Sequence, residues 1–161
     1  TFKFLALRLY PFNRPFFNEP IDGIVYATMI GMGFATLENI FYAYQYEMTT
    51  TLIRGITAVP AHASFAAIMG FFVGKARFNP AKRKQLLWMG WLLPVGIHGL
   101  YDFFIIQEVY DGIIVLALVT LSAASFFSIR LIKEQQQQSP YREAADSNTA
   151  AEDMEETPLP E

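Results

Sequence analysis

Cysteine is absent from all 161 residues, which excludes disulfide scaffolds and cysteine-ligated zinc or iron–sulfur centres. Charge is scarce as well, at 17% of residues, and it is unevenly placed. Residues 133–161 carry eight acidic groups against Lys133 and Arg142, a balance of −6; with −3 for the whole chain, the first 132 residues sum to +3. That small positive charge is confined to a few connections and does not describe a nucleic-acid-binding surface. An internal repeat is missing, so the inverted-repeat architecture of many transporters finds no support. The 161 residues also show no signal-peptide pattern with a cleavage site. What the chain has in abundance is apolar surface: 53% hydrophobic and 16% aromatic residues, nearly all within the first 132 positions. That density argues against a soluble globular domain and for a membrane protein.

Four segments are long and apolar enough to span a bilayer, at about 23–46, 55–74, 85–106 and 112–132. Backbone groups in lipid must pair internally, so each is expected as a helix. Thr1–Tyr10 (TFKFLALRLY) reads as the back end of a further apolar helix, too short to cross, and the sequence is accordingly expected to be a fragment of a longer chain. The expected fold is therefore all-α: a polytopic transmembrane bundle over 1–132 and a disordered acidic tail over 133–161. Lys75, Arg77, Lys82, Arg83 and Lys84 crowd the connection 75–84, which should be cytoplasmic together with the tail. The opposite connections, 47–54 and 107–111, carry only Arg54 as a basic residue.

An ionisable side chain inside a membrane is costly and demands a reason. With the orientation above, Glu38, His62, His98 and Asp102 all fall within roughly 6–12 Å of the outer boundary at 1.5 Å per residue. Three helices thus place titratable groups in one thin slab, and the fourth full span contributes none. Gly23, Ala27, Gly31 and Ala35 form a small-residue stripe that Glu38 continues. His62, Ala66, Gly70 and Gly74 form a second. Such stripes let helices approach closely, so both should lie inside the bundle. Gly90, Pro94, His98 and Asp102 recur at i,i+4, putting imidazole and carboxylate on one face. Pro60 and Pro94 release the carbonyls of Ile56 and Gly90 near the two histidines.

At these positions the sequence resembles the PrsW family of intramembrane proteases, distant relatives of the CAAX prenyl proteases. The resemblance covers residue 1 to about 106. It rests on Phe34-Ala35-Thr36-Leu37-Glu38-Asn39, then Pro60-Ala61-His62-Ala63-Ser64-Phe65, then His98-Gly99-Leu100-Tyr101-Asp102. The family's first motif, a Glu-Glu pair followed two residues later by Lys, matches only at Lys3. Both glutamates would then fall just upstream of Thr1, and the chain without them is expected to be inactive. The resemblance implies a multi-pass protein of the bacterial plasma membrane. It also implies regulated proteolysis of a membrane-anchored substrate such as an anti-sigma factor, cut near its extracytoplasmic end.

Two schemes accommodate these residues. In the first, Glu38 or an upstream carboxylate activates water, His62 stabilises the oxyanion or delivers a proton, Asn39 adds a donor, and His98 acts similarly, oriented by Asp102. In the second, His62, His98 and Glu38 ligate zinc or another divalent metal that keeps a position open for water. The HExxH spacing of zincins is absent. An ion- or proton-coupled transporter or channel is the main rival class, and a non-catalytic membrane scaffold is the third. A conduction path, however, should string polar groups across the whole depth, whereas the inner halves of these helices are apolar.

Overall fold

Five helices carry the apolar stretches: α1 (Phe2–Leu9), α2 (Ile21–Gln45), α3 (Met48–Phe78), α4 (Arg83–Ile106) and α5 (Ile114–Gln137). This computed structural model describes residues 1–107 and 110–141, and no strand occurs among them. The tail from 142 onward lies outside the described residues. The last four helices are each long and apolar enough to cross a membrane. They run alternately up and down, with α3 at the centre. In its most apolar window 72% of α3 is buried, against 17–22% for the other three. The outward faces of those three carry exposed Met29, Leu92, Leu93, Val119 and Phe126, as lipid-facing helices should.

Glycine dictates how α2 meets α3. A Cβ on Gly70 would collide with the Gly23 carbonyl, and one on Gly74 with the Pro20 carbonyl. One on Gly31 would come within 2.6 Å of the Ala66 Cβ. The two small-residue stripes therefore form a backbone-to-backbone seam, the mode of association available to helices in lipid. Gly90 of α4 packs in the same spirit against Met69, Phe72 and Val73.

The basic end of the bundle is tied by polar contacts. Asn79 Oδ1 accepts from the Lys82 amide at 3.1 Å and closes the short turn Pro80–Lys82. Arg83 donates from Nε to the Ala76 carbonyl (3.2 Å) and from Nη2 to that of Arg77 (3.3 Å), satisfying carbonyls left open at the end of α3. Lys75 pairs with Glu134 at 2.6 Å, and buried Gln135 donates to the Phe71 carbonyl at 3.2 Å. These last two partners sit on α5 beyond position 132, because the helix runs on to Gln137. In the same way α3 begins at Met48, ahead of the apolar window that starts near 55.

Candidate active site

The seam that packs α2 on α3 also delivers the first pair. Gly31 sits against Ala66; Glu38 lies two turns further along α2, and His62 one turn back along the antiparallel α3. Glu38 Oε2 is 3.0 Å from His62 Nε2. The imidazole is only 7% exposed and the carboxylate 43%, so the acid faces the open side of the cluster with the ring behind it. The Gly90 contact brings α4 alongside. The His98 ring stands edge-on to that of His62, with centroids 5.1 Å apart, and it packs on Phe65 at 5.2 Å. One turn on, Asp102 Oδ2 approaches His98 Nε2 at 3.4 Å. The chain thus brings Glu38, His62, His98 and Asp102 into one group at one level. Asn39 is next to Glu38 in sequence, but its Oδ1 is buried with no hydrogen-bond partner among the described residues.

Two cations complete the cluster. On α1, fully buried Leu7 anchors the helix, and one turn before it Lys3 reaches His62 Nδ1 at 2.6 Å. An ammonium can only donate, so Nδ1 accepts and the ring carries its proton on Nε2, directed at Glu38. On α3, Arg54 Nη2 lies 3.0 Å from the same Glu38 oxygen, and its guanidinium stacks 3.5 Å from the centre of the Tyr42 ring. The order is cation, neutral imidazole, carboxylate, cation. Neither Lys3 nor Arg54 is singled out by hydropathy. The signal for Arg54 was its place eight residues before His62, two turns along the same helix once α3 starts at Met48.

The donor types, two imidazoles and a carboxylate, are those of many zinc sites. Their arrangement does not fit one. Both ring nitrogens of His62 are engaged, by Lys3 and by Glu38, and the Glu38 oxygen that faces His62 is also held by Arg54. No group of three His, Asp or Glu side chains converges as a metal site among the described residues.

Two cavities flank the cluster. One, of about 390 Å³, lies between α3, α4 and α5; its lining includes Arg54, Thr57, Tyr101, Ile105 and Leu118. A smaller one, of about 50 Å³, lies between α1 and α4 and reaches Lys3 and His98. A water-sized space thus adjoins the His98 imidazole.

Four membrane-length helices packed around a Glu–His–His contact cluster are the architecture of a multi-pass membrane protein. The family described as "PrsW family intramembrane metalloprotease" matches residues 1–129, and the chain belongs to the PrsW family. Protease PrsW of Geobacillus kaustophilus is 40% identical over 120 residues, covering 72% of this chain and 53% of that protein. Protease PrsW of Clostridioides difficile is 37% identical over 122 residues, covering 71% and 51%. Protease PrsW of Bacillus subtilis is 38% identical over 104 residues, covering 64% and 48%. The chain spans about half the length of the curated relatives it matches. No solved structure matches it.

Proposed function

We propose that the protein is an intramembrane peptidase that hydrolyses a peptide bond of a membrane-anchored protein. The observation that carries this reading is the contact chain Glu38–His62–His98, assembled from three separate helices. Membership in a family whose relatives are named proteases supports it.

In this mechanism Glu38 is the general base, because its carboxylate is the exposed member of the pair. It takes one proton from a water molecule as the water oxygen bonds to the substrate's carbonyl carbon. Positive charge and donors on Lys3 and His98 stabilise the developing oxyanion, in a setting where water competes poorly. Asp102 orients the His98 ring. Collapse of the tetrahedral intermediate breaks the carbon–nitrogen bond, and the proton held on Glu38 passes to the departing amine. The products are a new carboxyl terminus and a new amino terminus, with Glu38 ionised again. The donors of this chain do not fit a metal, so no step depends on zinc or another divalent ion.

The bundle end bearing Lys75, Arg77, Lys82, Arg83 and Lys84 is assigned to the cytoplasm, which sets the cluster toward the extracytoplasmic side of the plasma membrane. The substrate is then cut near its outer end, as proteolysis of an anti-sigma factor would require. The test is reconstitution of the full-length protein in liposomes with single-span membrane proteins, and mass spectrometry of the new termini. Cuts in the outer third of the spanning segment support the proposal. Cuts only at the cytoplasmic face, or ion flux without cleavage, contradict it.

A further inference from the structure

An arginine near the end of a membrane helix can usually reach water, yet the Arg54 side chain is only 20% exposed. Arg54 makes two contacts that act together. Its Nη2 holds Glu38 Oε2 at 3.0 Å, and its guanidinium lies 3.5 Å from the Tyr42 ring centre. Tyr42 follows Glu38 by one turn of α2, so a single side chain of α3 grips two successive turns of its neighbour. The aromatic face fixes the plane of the guanidinium, and the plane fixes the direction from which the carboxylate is held.

We infer that Arg54 is a positioning residue for Glu38: stacked on Tyr42, its guanidinium holds the carboxylate against His62 in the orientation in which it receives a proton from water. This rests on Glu38 being the base. Glutamate has three rotatable bonds, and a base that samples several rotamers is correctly aimed for only a fraction of the time. Arginine suits the task because it remains charged throughout and never competes for the proton. A purely stabilising ion pair accounts for the site less well. Arg54 Nε is buried with no hydrogen-bond partner among the described residues, a liability that a structural pair would have no cause to retain. Arg54 and Tyr42, the two halves of the grip, also line the cavity of about 390 Å³ beside α3, α4 and α5.

The experiment measures cleavage by the full-length protein for Arg54→Ala, Arg54→Lys, Glu38→Gln and the double variant Glu38→Gln/Arg54→Ala, each normalised to folded protein. Arg54→Ala is expected to lower kcat about 30-fold with KM changed less than about three-fold, the scale of a misaimed catalytic group. Added methylguanidinium should recover part of that loss in Arg54→Ala and nothing in the wild type. Arg54→Lys folds with its charge in place but without the fixed plane, so its kcat should still fall about five-fold or more. The double variant should be no slower than Glu38→Gln alone, since the effect passes through Glu38. Wild-type kcat in Arg54→Lys, or losses that multiply in the double variant, would overturn the positioning role. If Glu38→Gln itself cleaves normally, the base assignment fails first and this inference with it. If Glu38→Gln is inactive and Arg54→Ala is normal, the inference fails alone.

Discussion

Lys3 Nζ lies 2.6 Å from Nδ1 of His62, and Glu38 Oε2 lies 3.0 Å from Nε2 of the same ring. An ammonium that only donates and a carboxylate that only accepts together place the ring proton on Nε2, so α1, α3 and α2 are linked through one imidazole. Lys3→Met removes one of the two partners that fix the tautomer and leaves the Glu38 carboxylate as the other. Nitrogen chemical shifts of labelled histidine should report Nε2–H for His62 in the wild type and a larger share of Nδ1–H in the variant. Turnover should fall about ten-fold, at the lower end of what a misplaced proton-transfer group costs, and Lys3→Arg should restore part of it.

The seam between α2 and α3 offers a test of the fold. Gly70→Ala places a methyl group against the Gly23 backbone and should lower the melting temperature or abolish accumulation of the protein. Gly33→Ala adds the same methyl group where nothing lies within 4 Å, and it should leave stability unchanged or raise it by about 0.5–1 kcal/mol. Equal effects at the two positions would contradict the close backbone approach.

His98 and Asp102 should separate in size of effect. His98→Ala removes a group that touches the reacting atoms and should cost about 100-fold or more in kcat. Asp102→Asn keeps a hydrogen-bonding group one turn away from His98 and removes only its charge, so its loss should be several-fold smaller. A larger loss at Asp102 in the same cleavage assay would reverse the assigned roles.

Chelation tests the metal question on the whole protein. With both His62 nitrogens engaged by Lys3 and Glu38, cleavage should survive 1,10-phenanthroline with less than about a two-fold change, well short of the loss that follows when a catalytic zinc is stripped. Loss of activity that zinc restores would contradict the metal-free mechanism.

Much of this arrangement is legible in the sequence because bilayer physics writes in long stretches. Apolar runs mark the four spans, and small residues at every fourth position mark the faces that meet, so Glu38 and His62 can be assigned to one interior before any coordinates. Hydropathy is blind to helix that continues past the end of an apolar window. Met48–Arg54 and Lys133–Gln137 are polar enough to end an apolar window, yet the hydrogen-bonded ladder runs through both. Arg54 therefore counts as a loop charge in the sequence and as a Glu38 partner in the fold. Lys3 is legible only as the last position of the resembled motif, and nothing in an eight-residue helix tells that its side chain meets His62 on α3. Asn39, a neighbour of Glu38, is turned about 100° around the helix from it and does not share its direction.

The central claim is that Glu38 and His62 act as one hydrolytic unit, and the most direct measurement is a cycle of cleavage rates for Glu38→Gln, His62→Ala and the double variant in the reconstituted full-length protein. His62 acts through the carboxylate that its Nε2 faces, so the two are lost together and the double variant should be no slower than the worse single one. Near-normal cleavage in either single variant, or losses that multiply in the double, would show that the two residues do not form one centre.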